Sequence, residues 1–182
     1  MSLKEITSEK HRLAEQTAFM RAVFARSLPL ELWKDFTYNK ILFYNAIEIK
    51  ARAEGYLEDL LGIERSYLLF QDYLEMTGNT KFRKPAIEYH RYILDLEPGL
   101  VLAHLYTWHM GDLFGGQMIK KIINAPHRSL EFQDPDTLKS VLRSKLDDNL
   151  GPEALTAFDW AIKIMDDYEQ DLEQSREPSQ PH

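Results

Sequence analysis

The sequence contains no cysteine. That absence excludes disulfides, thiolate metal sites, iron–sulfur clusters and cysteine nucleophiles at once, and it fits a reducing, cytosolic setting. Long apolar runs are missing too, since none approaches the roughly 20 residues that a membrane-spanning helix needs. Met1-Ser2-Leu3-Lys4-Glu5 lacks the apolar core of a secretory signal, and the run from Ser175 to His182 reads as a polar, frayed tail rather than an anchor. The expectation is a soluble, cytoplasmic protein without membrane association. Positive charge is scarce: 22 Lys and Arg stand against 29 Asp and Glu, a net charge of −7. Phosphate neutralisation needs a basic surface, so nucleic acid is not an expected partner. No period-2 strand with hairpin chemistry, internal repeat or low-complexity block stands out.

What the chain does have is a respectable apolar share, 44% of 182 residues, with nine Tyr, nine Phe and three Trp. That suits one folded domain with either a large core or a pocket for a flat apolar ligand. Helical signals dominate. Residues 3–25 read as a first helix, with Leu3, Ile6, Leu13, Met20 and Phe24 at helical spacing toward the core. Pro29 opens a second helix to about Glu54, Glu64–Met76 forms a third, and Pro85 starts a fourth to about Asp95. Glu97-Pro98 opens a long fifth helix toward Ile123, Asp134-Pro135 caps and starts another, and Gly151-Pro152 starts the last. The expected fold class is all-α, with long helices joined by short turns and room for a ligand between helix pairs.

The most unusual segment is Gly111-Asp112-Leu113-Phe114-Gly115-Gly116-Gln117, flanked on both sides by helical sequence. Each glycine inside a helix costs about 1 kcal/mol relative to alanine, so this segment calls for a cause. Gly111 and Gly115 are four apart and share a face. Such a face allows either tight helix–helix packing or the close approach of something flat to the backbone, and paired glycines also permit a kink. The segment is not a phosphate loop, because Gln117 stands where the lysine would be, nor a dinucleotide fingerprint, for want of a preceding strand.

His11 stands on the first helix among Lys4, Thr7 and Ser8 on one side and Ala14, Glu15 and Ala18 on the other. Read alone, it is a surface histidine among charged neighbours. The small alanines, however, leave room beside the imidazole, and Lys4 lies roughly 10 Å away at ~1.5 Å per residue. That layout also suits a ligand bound by His at its centre and carrying an acid at its edge, with Glu15 able to hydrogen-bond the second ring nitrogen. His104 and His109 are five apart and make a poor metal pair, whereas one axial histidine suffices for haem iron.

Together these residues resemble the haem oxygenase family. Residues 111–117 match its Gly-Asp-Leu-Ser-Gly-Gly-Gln motif except for Phe114 at the serine position. The first helix, with His11, Ala14-Glu15 and Phe19-Met20-Arg21, is similar to the family's proximal helix. The stretch from His104 to Lys121 is similar to its distal helix, and the likeness runs to about residue 172. The resemblance implies a compact helical domain over residues 1–174, with haem sandwiched between a proximal and a kinked distal helix, and a disordered tail over 175–182. It implies His11 as the axial iron ligand and Glu15 behind it. Gly111 and Gly115 would flank the distal side, Gly116 would add flexibility, and Asp112 would organise distal water. Lys4, Tyr106, Lys139 and Arg143 would meet the propionates, and Val23 and Phe158 would touch the macrocycle. Trp108 stands where the family commonly has arginine.

The activity so implied is oxidative cleavage of haem, both substrate and cofactor, at a meso carbon (the α edge by resemblance). Biliverdin, CO and free iron would be released, and O2 and electrons from an external reductant consumed. Ferredoxin is the first candidate donor, a bilin reductase a candidate recipient of product, and a monomer the expected state. A basic patch drawn from Lys4, Lys10, Arg12, Lys120, Lys121, Lys139, Arg143 and Lys145 would be needed to attract an acidic donor; equally, these side chains can be separately solvated. The rival reading on the same fold is a haem carrier or sensor without turnover, for which Phe114 and Trp108 speak. A thiamin-salvage hydrolase would need a cysteine nucleophile, and a di-iron carboxylate protein would need Glu-x-x-His pairs; the sequence has neither.

Overall fold

The computed structural model describes residues 2–176. Its elements are α1 (Leu3–Glu15), α2 (Ala18–Phe24), α3 (Leu30–Ala53), α4 (Ser66–Glu75), α5 (Lys84–Leu94), α6 (Val101–Thr107), α7 (His109–Phe114), α8 (Gly116–Ile122), α9 (Pro135–Lys145), α10 (Gly151–Asp166) and α11 (Glu169–Arg176). Short 3-10 turns at Arg128–Leu130 and Asp148–Leu150 punctuate the second half. The described residues contain no strand, so the all-α expectation holds. None of their helices is long and apolar enough to cross a membrane.

Local chemistry sets the helix ends. Ser2 and Glu5 form a reciprocal capping box at the start of α1. Asp134 accepts the Thr137 amide ahead of Pro135 at the start of α9. The expected single helix over residues 3–25 is in fact two, broken at Gln16-Thr17. Thr17 is buried, and its hydroxyl donates to the Ala14 carbonyl at 2.9 Å while accepting the Met20 amide at 3.2 Å. The side chain thus competes for backbone groups that a continuous helix would use, and caps α2 instead. Leu13 and Phe24 lie outward, each 38% exposed, against the expectation that both face the core.

The expected helix from Glu97 to Ile123 starts later, at Val101, and comes in three pieces. Its joints lie at Trp108 (φ −97°, ψ −60°) and at Gly115. The Asp112 amide donates to the Trp108 carbonyl (2.9 Å) and the Ile119 amide to the Gly115 carbonyl (3.2 Å), so each joint residue accepts the first bonds of the helix that follows it. The last expected helix is likewise two, α10 and α11. Ser175 and Arg176, assigned from sequence to the tail, close α11; residues 177–182 of that tail lie outside the described residues.

α3 packs against α4, α5 and α6, while α10 packs against α1, α2, α5 and α6. α1 settles closely on the start of α10 because Gly151 has no side chain: a Cβ there would lie 3.0 Å from the Ile6 Cδ1. α1 packs on α10 and α2, α7 rests on α6, α8 and α9, and α2 meets α8. His11 and the glycine pair therefore sit on helices held by different neighbours. The interior also carries ions. Arg83 is buried against Asp35 at 2.5 Å, reaches Asp171 at 2.7 Å and Asp167 at 3.1 Å, and lies over the Tyr168 ring at 3.6 Å. Shared among three carboxylates, its guanidinium is satisfied on several sides, as burial of a charge requires.

Candidate active site

His11 is exposed on α1. Its Nδ1 lies 3.8 Å from the Glu15 carboxylate, beyond hydrogen-bond reach. Its ring meets the edge of Phe158 (α10) at 5.9 Å between centroids, and Phe158 in turn meets Tyr106 (α6) at 6.4 Å. Thr7 already donates its hydroxyl hydrogen to the Leu3 carbonyl at 2.9 Å, so at 3.0 Å Tyr106 is the donor and Thr7 the acceptor. That bond ties α1 to α6. Lys4 is exposed at the start of α1, whose first amide donates to Asp148 at 2.9 Å.

Along α7 and α8, the two glycines Gly111 and Gly115 differ from their neighbour Gly116. A Cβ on Gly111 would meet nothing within 4 Å among the described residues, and one on Gly115 only the Gly111 carbonyl at 3.5 Å. Both positions are exposed. Gly116 is buried, and its Cβ would lie 3.0 Å from the Leu130 Cδ2 and 3.5 Å from the Asp112 Cβ. The first two present bare backbone to open space; the third is a packing glycine. Val23 is enclosed within the core.

Asp112 is buried, and its carboxylate is held by two side chains of α3. Tyr44 donates to Oδ2 at 2.7 Å, and Lys40 approaches Oδ1 at 3.4 Å. Burial and the neighbouring Asp112 charge push the Tyr44 phenol well above its usual range, so it remains a donor. Neither Tyr44 nor Lys40 emerged from the sequence. The available signal was the spacing of Lys40, Tyr44 and Glu48, three polar-tipped residues four apart on one face of a helix otherwise rich in apolar positions. Glu48 accepts from His109 at 2.9 Å and from the Arg65 and Ser66 amides. The His109 Nδ1 is buried without a partner among the described residues.

Trp108 points elsewhere. Its indole N–H donates to the Tyr89 hydroxyl at 3.0 Å, and Tyr89 sits 2.6 Å from the His104 Nδ1. The Glu153 carboxylate, held ionised, can only accept, so the ring proton of His104 lies on Nε2 and Nδ1 accepts the hydrogen of Tyr89. That proton is donated to Glu153 at 2.9 Å. Complete burial lowers the His104 pKa despite the opposing effect of Glu153, which fits the neutral ring this chain of bonds requires.

Lys139 and Arg143 of α9 gather over the exposed ring of Phe114, at 4.5 and 5.2 Å from its centroid. Of the residues expected to form a basic patch, Lys10 pairs with Asp159 at 2.5 Å, Arg12 with Glu9 at 2.5 Å and Lys145 with Asp59 at 2.7 Å. Among the described residues, no cluster of His, Asp and Glu side chains could hold a metal ion by itself. A single exposed imidazole, such as His11, is the kind of ligand an iron held inside a flat organic macrocycle needs.

The family model described as Heme oxygenase matches residues 1–145. The chain belongs to the haem oxygenase family. It is 31% identical over 134 residues to heme oxygenase 2 of Macaca fascicularis, covering 66% of this chain and 42% of that protein. Against heme oxygenase 2 of Synechocystis sp. it is 28% identical over 132 residues, covering 65% and 53%. The chain thus spans about half the length of these curated relatives. Among solved structures it is similar to heme oxygenase-1 of the cyanobacterium Synechocystis sp. PCC6803 (TM-score 0.82, 22% identity, 95% of this chain and 93% of that one). It is also similar to the heme oxygenase of Leptospira interrogans (TM-score 0.76, 23% identity, 91% and 99%). The fold is the family's fold.

Proposed function

We propose that this chain cleaves haem oxidatively at a meso carbon, the α carbon by family resemblance, giving biliverdin, CO and free iron. The observation that carries the reading is the pairing, in a member of this family, of an exposed imidazole at His11 with two glycines, Gly111 and Gly115, that face open space. It is supported by the solved Synechocystis structures similar to this chain, which are complexes with haem. When bound, haem would supply both the iron at which O2 is reduced and the macrocycle that is cut.

The protein's part is to bind and orient. His11 would hold the iron through an imidazole nitrogen, with Glu15, 3.8 Å away, close enough to restrain the ring through water. Gly111 and Gly115, without side chains, would let a flat ligand come close to the helix backbone and so restrict how small molecules reach it there. Asp112, gripped from below, orders water at the opening and hands protons through it. Phe158 and Tyr106 form an aromatic wall beside His11. Lys4, Lys139 and Arg143 pin the carboxylates at the ligand's edge. Electrons come from an external reductant, with ferredoxin as the proposed donor. Cytoplasmic residence, a monomeric state and passage of biliverdin to a bilin reductase belong to the same proposal.

One absorbance experiment tests it. Purified apoprotein is titrated with haemin and then reduced in air with ascorbate or a ferredoxin system. A 1:1 Soret band that decays into the broad red band of biliverdin is the expected result. A Soret band that persists under reduction would replace the enzyme with a haem carrier or sensor, a reading favoured by Phe114, whose ring occupies Lys139 and Arg143. No Soret band would overturn both.

A further inference from the structure

Lys40 is a lysine where the core should refuse one. It is 6% exposed, and its Nζ lies 4.7 Å from the Tyr44 ring centroid and 5.8 Å from that of Phe36. A buried ammonium is costly unless paired. Its partner is Asp112, itself 8% exposed, at 3.4 Å. Tyr44 and Lys40 are one helical turn apart on α3, so one helix face presents a charged and a neutral donor to the two oxygens of one carboxylate.

The other charged groups nearby are committed. The Arg65 guanidinium donates to the carbonyls of Gly62, Ile63, Glu64 and Glu131 and lies over Phe132. Glu48 accepts from His109, the Arg65 and Ser66 amides and the Ser66 hydroxyl. Trp108, four residues before Asp112, donates to Tyr89. Lys40 is therefore the cation in direct contact with the Asp112 carboxylate among the described residues.

We propose that Lys40 is a positioning residue for the haem chemistry: it fixes and neutralises Asp112 from within the core, so that the remaining lone pairs of the carboxylate serve water at the Gly111–Gly115 opening. This rests on the functional reading above. Tyr44 alone would orient one oxygen, but a phenol brings no charge. With Lys40 the pair is neutral, and the carboxylate can stay buried beside the glycines without a compensating change elsewhere.

The test uses Lys40→Met, Lys40→Arg, Asp112→Asn and the Lys40→Met/Asp112→Asn double variant of the full chain. The first readout needs no haem: urea denaturation of the apoproteins. Lys40→Met is expected to shift the midpoint down, and most of that shift is expected to vanish in the Asp112→Asn background, because the stranded charge is gone. Equal shifts in both backgrounds would overturn the pairing. The second readout is the pH midpoint of the Soret shift of the ferric haemin complex. Removing a positive charge disfavours the alkaline form, so Lys40→Met should raise that midpoint by about one pH unit, tenfold in proton affinity. Lys40→Arg should stay close to the parent, and the Lys40→Met effect should shrink when Asp112 is Asn. If Lys40→Met does not fold, Lys40→Gln keeps a donor without the charge and carries the same expectation. A folded variant that binds haemin with an unmoved midpoint overturns the role of Lys40 alone. A parent protein that does not bind haemin overturns the functional reading and this role with it.

Discussion

Tyr44 donates its phenol O–H to Asp112 Oδ2 at 2.7 Å, joining the long core helix to the glycine helix across 68 residues of sequence. The bond is buried and charge-assisted, the kind whose loss is felt because the acceptor stays behind. Tyr44→Phe keeps the ring and removes only the donor. It should cost about 1–3 kcal/mol in denaturant unfolding and lower the fraction of bound haemin converted to biliverdin, read from the red absorbance band. Unchanged yield in a destabilised variant would restrict Tyr44 to a structural part.

The glycines separate two causes in one comparison. Gly111→Ala adds a methyl group to open space, so the apoprotein should gain up to about 1 kcal/mol from helix propensity while binding haemin more weakly. Gly116→Ala drives a Cβ to 3.0 Å from Leu130, so it should lose stability before any ligand is added. Thermal melts of the two apoproteins, followed by haemin titration, give the answer. If Gly111→Ala destabilises like Gly116→Ala, the glycine face is a packing device.

Phe114 stands 45% exposed beneath Lys139 and Arg143. Phe114→Ser should release both cations from the ring at little cost to the fold, within about 0.5 kcal/mol as for most surface changes. If those cations meet the ligand's carboxylates, haemin should then bind more tightly, with a several-fold lower dissociation constant by Soret titration. Weaker binding would show that the phenyl ring itself contacts the ligand.

His11 carries almost no structural burden, being exposed and without a close hydrogen-bond partner among the described residues. His11→Ala should therefore leave the melting temperature nearly unchanged while altering the ferrous–CO spectrum of the haem complex, with added imidazole restoring it. An unaltered spectrum would assign the iron to another residue.

How far the sequence reached follows from which interactions are local. Pro29, Pro85, Asp134-Pro135 and Gly151-Pro152 mark helix starts because fixed φ angles and cap hydrogen bonds act within a few residues, and α3, α5, α9 and α10 begin beside them. The break at Thr17 escaped because it depends on a buried hydroxyl bonding backward and forward along the chain, while the apolar spacing across it stays helical. The exposed His11 and open Gly111 were legible as types at a spacing. Lys40 and Tyr44 were not, because their meaning lies in a carboxylate more than 60 residues away. A polar residue on a mostly apolar helix looks the same whether it faces solvent or a buried partner.

The chain from Trp108 through Tyr89 and His104 to Glu153 makes stability depend on pH. Burial lowers the His104 pKa in the folded protein below its ordinary value near 6.5. The unfolded chain therefore binds a proton there at a pH where the folded chain does not, and stability rises with pH across that window. The contribution is complete above about pH 6.5 and drains away as the solution is acidified below it. Urea midpoints measured between pH 7.5 and 5 should fall accordingly, and His104→Gln should flatten that decline while lowering stability at pH 7.5, because Gln cannot both accept from Tyr89 and reach Glu153 with the same geometry. The same acid slope in His104→Gln would place the titrating group elsewhere.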